Sequence, residues 1–312
     1  MAVQVITAAL LLQIKTALQT AFNKGLANPQ EDWKKVAQLI PSSGASNTYA
    51  WLSQFPAFRE WVGSRLHKEV KERAMQVFNR KFETTIDIPR EAIEDDLWHV
   101  YAGVAESAGV ASNDLKNDLV FEQLAKGFET TCYDGQNFFD TDHPVYSNED
   151  GTGTAVTVSN MHTGTGESWA LLCTRRAPKP LYLQQRIEAQ FDAITSVLNE
   201  TVFDYDVYSY GGRWRGEAVP GFWQLAFGSK ETLEAASFND AFKAMTKGRG
   251  DGNRVLNIVP NLLVVGPDNQ GAAEELLKAV TKDGGGSNTN YNKVELFVSP
   301  YMSAGLTFPT TP

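Results

Sequence analysis

Closely spaced carboxylates beside an imidazole are residue types that can hold a divalent cation, and the run CYDGQNFFDTDHPV supplies Asp134, Asp140, Asp142 and His143. The spacing matches no metal loop, since it lacks the alternation and closing Glu of an EF-hand. Asp, Gly, Asn and Pro are equally the residues of tight turns. A structural loop is therefore expected, with Asp140, Asp142 and His143 kept as weak metal candidates and no cofactor assigned. Hydrolytic chemistry has less to work with: the histidines are His67, His99, His143 and His162, and no Ser sits in a GxSxG elbow. The run VVGPDNQG after Leu263 is neither GxGxxG nor GxxxxGK[ST], so no phosphate cradle is indicated. Arg249-Gly250-Asp251 reads as a glycine-rich loop tip. No catalytic residue is assigned and the chain is expected not to be an enzyme; a metal-dependent hydrolase centred on the DxDH loop is the enzymatic alternative.

The elements around these residues are mixed. Leu11, Ile14, Leu18 and Phe22 recur at helical spacing, with Gln13, Lys15 and Gln19 off the stripe. A second helix is expected from an Asn28 cap through Trp33, Val36, Ala37 and Ile40 to Pro41. Five aromatics follow: Tyr49, Trp51, Phe55, Phe58 and Trp61. Residues 75–88 alternate as strands do, with Asn79-Arg80 as the turn of a hairpin. Pro89 opens an acidic helix whose Glu91, Glu94, Asp95 and Asp96 suit a helix start. A further helix is expected over Ser112–Thr130. Beyond Pro180 the pattern is α/β: an alternating stretch Val202–Tyr210 before a Gly211-Gly212 turn, helices at Phe238–Met245 and Ala272–Val280, and strands at Leu262–Val265 and Val294–Val298.

The chain has 312 residues, 42% hydrophobic and 21% charged, enough for a large core without staples and too polar for a membrane bundle. Cys132 and Cys173 are read as free thiols. The apolar stretch Val5–Leu12 lacks a preceding Lys or Arg, so neither export nor membrane anchoring is expected. A net charge of −9 has the wrong sign for tight phosphate binding. Charge is uneven, with 12 basic and 7 acidic residues in positions 1–90 and 16 and 30 in the remainder.

Several separated strings give the chain a resemblance to the major head (capsid) subunits of Mu-like bacteriophages and prophages. They are Tyr49-Ala50-Trp51-Leu52, Phe58-Arg59-Glu60-Trp61-Val62-Gly63, Asn79-Arg80-Lys81-Phe82-Glu83, Ile93-Glu94-Asp95-Asp96, Tyr133–Gln136 with Phe139–Pro144, Lys179-Pro180 with Gln184 and Arg186, Phe222–Ala226, and Pro260–Val265. The match spans roughly residues 45–300.

The resemblance implies an α+β fold of the Hong Kong 97 type: an N-terminal arm (1–48), an aromatic linker segment (49–61), an extended β-hairpin loop (62–90), a peripheral domain with a spine helix (91–185 plus 293–312), and a mixed α/β axial domain (186–292). It implies a structural subunit that self-assembles into pentamers and hexamers, the icosahedral head enclosing double-stranded DNA without sequence-specific contacts. Scaffold, portal and maturation protease are the implied assembly partners, with no membrane; the implied location is the virion head, assembled in the bacterial cytoplasm. An encapsulin-like compartment shell is the alternative within the same fold.

Short apolar stripes on an N-terminal third too small to be stable alone suggest that residues 1–90 rest on neighbouring copies. Leu11, Ile14, Leu18, Phe22, Trp33, Asn79, Arg80 and Phe82 are the intersubunit contact candidates. Some relatives by fold cross-link Lys to Asn; Asn79, Lys81 and Asn290 fall in exposed-looking loops, and no such bond is expected here.

Overall fold

The computed structural model describes residues 5–27, 29–49, 52, 75–193, 200–281 and 285–303. Its first helix, α1 (Ala8–Leu26), forms where the stripe predicts it, and Thr7 closes its start by accepting the Leu10 N–H. Asn28, the expected cap of the next helix, lies outside the described residues. There, α2 (Trp33–Val36) lasts one turn before the chain extends into β1 (Ala37–Pro41). The helix predicted through Ile40 is lost because β1 pairs in parallel with Leu181–Gln185, which takes up the backbone groups a helix would have used.

Strands β2 (Ser46–Tyr49), β3 (Met75–Phe78) and β4 (Arg80–Pro89) follow. The predicted hairpin about Asn79-Arg80 does not form. β3 pairs with β2, and β4 pairs with a later strand, so Asn79 is a pivot between two ladders. The aromatics Trp51, Phe55, Phe58 and Trp61, and residues 62–74 of the extended loop, lie outside the described residues.

After the short α3 (Arg90–Glu94), α4 (Tyr101–Ala125) runs for 25 residues, beginning well before the predicted Ser112. The early half was missed because its buried face is Ala105, Ala108 and Gly109, too small to register as an apolar stripe. The hairpin β5 (His143–Tyr146) and β6 (Ala155–Val158) precedes β7 (Met161–His162), β8 (Trp169–Leu172) and β9 (Leu181–Ala193). Next come α5 (Glu200–Tyr205) and β10 (Val207–Pro220). Gly211-Gly212, predicted as a turn, lies inside β10, where a Cβ on Gly211 would meet Thr84 O at 2.9 Å.

The rest comprises β11 (Ala226–Ser229), α6 (Ala235–Thr246), β12 (Arg249–Gly250), β13 (Arg254–Val255), β14 (Leu262–Val265), α7 (Gln270–Lys278) and β15 (Glu295–Val298).

Two sheets organise these elements, one ordered β1-β9-β10-β4 and the other β15-β14-β8-β11-β7. Helices α1 and α4 cover one face of the first, burying Leu11, Ile14, Leu18 and Phe22 with Tyr208 and Tyr210. Helices α6 and α7 pack on the second through Phe238, Met245 and Leu277. Residues 185 and 186 are consecutive within β9, and β15 pairs with β14 while its Phe297 stacks on Phe121 of α4. Sequence order could not reveal which sheet each strand joins.

Six of the eight intersubunit contact candidates need correction, while Arg80 and Phe82 stay partly exposed. Leu11, Ile14, Leu18 and Phe22 are 0% exposed within their own chain, and Trp33 is buried beside Leu119 and Phe121 of α4. Arg80 pairs with Glu217, and Phe82 packs on Trp214 at 5.6 Å. Asn79 is buried too. A stripe fixes which side of a helix is covered, not which copy covers it, and the chain's own first sheet is the nearer partner.

Candidate assembly surface

Three of the separated strings meet at one buried polar network. Tyr49 OH donates to Gln184 Oε1 at 2.7 Å, and Gln184 Nε2 donates to Asn79 Oδ1 at 2.7 Å. Asn79 Nδ2 donates in turn to Ser42 Oγ at 2.8 Å and to Gly44 O at 3.0 Å. Gln184 is 0% exposed, so each of its hydrogen bonds satisfies a group that water cannot reach. Arg186 adds a bond from Nη1 to Ser42 O at 3.3 Å.

This network locks the pivot at Asn79 to β9 and to the strand carrying Tyr49. Tyr49 and Met75 are strand partners at the end of the β2–β3 ladder. Asn79 and Asn290, thought exposed, are 8% and 1% exposed, whereas Lys81 faces solvent.

The DxDH residues do not converge as one ligand set. Asp140 caps its own turn, accepting from the N–H of Asn137 at 3.0 Å and of Thr141 at 2.7 Å. Asp142 is exposed, and Gln136 Nε2 donates to it at 3.2 Å. A hydrogen bond with Asp140 raises the Asp142 carboxyl above its usual range. His143 turns inward, stacked on Trp223 at 4.1 Å, with Nδ1 2.7 Å from Asp134 Oδ2.

The groups that converge are Cys132, Asp134 and His143, whose ligand-type atoms lie within 4.8 Å of one another. Cys132 Sγ donates to Asp134 Oδ1 at 3.0 Å, and the Gln136 N–H donates to the same oxygen at 3.1 Å. Burial pushes the Asp134 carboxyl up, but its bonds to His143, Cys132 and Gln136 outweigh that and leave it below its usual range. Burial and the Asp134 charge push the Cys132 thiol up, which keeps it a proton donor. The cluster therefore closes the loop on itself, with His143 stacked on Trp223 just before β11. Cys132 was missed, although it stands two residues before Asp134 in the same run.

A family model described as the Mu-like prophage major head subunit gpT matches residues 11–302. The chain is 35% identical to the major capsid protein of Escherichia phage Mu over 304 residues, covering 96% of this chain and all of that one. It is 38% identical over 290 residues to the Mu-like prophage FluMu major head subunit of Haemophilus influenzae, covering 90% and 94% of the two chains. Among solved structures, a chain of the bacteriophage JBD30 procapsid superposes with a TM-score of 0.83 at 42% identity, covering 95% of this chain and all of that one. A chain of the JBD30 capsid gives 0.72 at 34% identity, over 96% and 100%. The two sheets, the long helix and the pivoting strand are thus the Hong Kong 97 type of capsid fold, and this chain belongs to the Mu-like prophage major head subunits, structural proteins of the phage head.

Proposed function

We propose that this chain closes into rings of five and six that build an icosahedral head around double-stranded DNA. The likeness to the JBD30 procapsid chain along nearly the whole length carries the reading. Heterologous head-to-tail contacts between identical chains form rings when the rotation closes. Residues 62–74, part of the expected extended loop, are proposed to reach sister chains, whereas Leu52 is buried in the core of its own chain. Scaffold, portal and maturation protease are the proposed assembly partners, and the bacterial cytoplasm the place of assembly. The net charge of −9 suits a container that must release its contents, since each neutralised phosphate would add to the cost of release.

Expression of the chain alone, followed by sedimentation and negative-stain microscopy, tests the proposal. Rings, tubes or shells are the expected products. A folded chain that stays monomeric at every concentration and with added scaffold would overturn it.

A further inference from the structure

The ladder of β4 with β10 carries opposite charge character at its two ends. At its start, Lys81 lies opposite Arg215, and Arg213 is two residues further along β10 on the same solvent face. Like charges facing each other across a ladder are destabilising, yet none of these cations has an ion-pair partner among the described residues. The Arg215 Nε is buried and unbonded among them. Glu83, opposite Arg213 across the ladder, accepts from Thr85 without forming an ion pair with the arginine among the described residues, and Glu188 accepts from Gln185.

The far end lies ten residues along β4, about 30 Å away at the usual strand rise. There Glu91, Asp95 and Asp204 are exposed and have no ion-pair partner among the described residues. Large apolar side chains stand beside them in water: Leu97 is 57% exposed, Val100 70% and Tyr205 73%. The corner is held together by the Arg90 N–H donating to Asp206 O at 2.9 Å. Apolar groups rimmed by charge are the composition of a surface made to be covered.

We propose that the acidic, apolar corner around Glu91, Asp95, Asp204, Leu97, Val100 and Tyr205 docks on the Lys81, Arg213 and Arg215 end of the ladder of a second copy. Charge complementarity selects the occupant. The basic end matches the acidic corner in sign, and the two lie at opposite ends of one rigid ladder. A contact between unlike ends is head to tail, so it propagates from copy to copy. Burial of Leu97, Val100 and Tyr205 supplies the attraction, and the charges set the register and exclude like-end pairing.

The inference rests on the shell reading above, and charge reversal separates the two. Wild-type chain that forms no particle counts against the shell reading. Given wild-type particles, R213E/R215E and E91K/D95K/D204K, each shown to be folded by its melting curve, are expected to lower the sedimenting fraction at least tenfold when alone. The chain carrying all five changes is expected to assemble again. An equimolar mixture of the two partial variants is expected to associate by alternation, giving six-membered but not five-membered rings. Wild-type assembly by either partial variant alone, failure of the five-change chain to assemble, or five-membered rings in the mixture would overturn the inference.

Discussion

Two helix contacts in this molecule are made of different material. Where α1 crosses α4, backbone meets backbone: a Cβ on Gly25 would lie 2.1 Å from Glu106 O, and one on Gly109 2.1 Å from Phe22 O. Asn113 Nδ2 donates to Leu26 O at 3.0 Å, and Lys24 reaches Glu106 at 2.9 Å, fixing the crossing at its rim. Where α6 and α7 lie on the second sheet, side chains do the packing, with Phe238, Met245, Ala273 and Leu277 among them. Side chains can change rotamer when a neighbour changes; a carbonyl in a helix cannot move without taking the helix along. The first contact should therefore fail as a unit, and the second by degrees.

Gly109→Ala gives the largest expected effect. The added methyl overlaps Phe22 O, so α1 must lift away, at a cost of about 4 kcal/mol. Denaturant unfolding of unassembled chain measures the loss, and faster amide hydrogen exchange confined to α1 identifies its origin; a variant with wild-type exchange across α1 would break the contrast. Leu277→Ala in α7 should cost about 3 kcal/mol by leaving a cavity, with exchange rising evenly around the second sheet instead of in one helix.

Asp134→Asn sharpens the contrast on the polar side, because it spoils the staple to His143 and Cys132 for about 2 kcal/mol at neutral pH. The Asp134 carboxyl is held below its usual range, so this stabilisation is present above the unfolded-state value near 4 and fades as pH falls through the lower folded value. Melting curves of wild type and variant should accordingly converge below about pH 4. A constant gap down to pH 2 would assign the loss to packing.

Gly103→Ala is the smallest expected effect and serves as the control. It lies on the same helix as Gly109 with nothing within 4 Å of its added Cβ, so it should gain about 0.5 kcal/mol from reduced backbone freedom. Equal gains at Gly103 and Gly109 would show that helix propensity, not contact, governs α4.

The legible parts of this chain were those written in large apolar side chains. Leu11, Ile14, Leu18 and Phe22 announced a helix and its covered side, and Leu262–Val265 announced a buried strand. Their partners were not legible, because burial against one's own sheet and against a sister copy leave the same stripe. The face of α4 made by Ala105, Ala108 and Gly109 gave no signal, since small residues carry little hydrophobic contrast. Trp33, Val36, Ala37 and Ile40 fit a helix, but the second half became β1 through a partner strand far along the chain. Asn79-Arg80 had the chemistry of a turn and was used as a pivot, a choice set by Gln184. At the DxDH loop, His143 was singled out but its true partner, Asp134, was grouped with carboxylates that point elsewhere. Function was legible only through the order of several separate strings along the chain, which no single residue could supply.

The pairing of β1 with β9 has a consequence for biogenesis. A ribosome emits Ala37 long before Leu181, and the first sheet cannot finish until Pro220 has followed. At bacterial rates of roughly 5–20 residues per second, the apolar side of α1 waits about ten seconds or more for its cover. During that wait it is a target for chaperones and for neighbouring nascent chains, so the yield of soluble subunit should depend on how fast translation proceeds between these two strands.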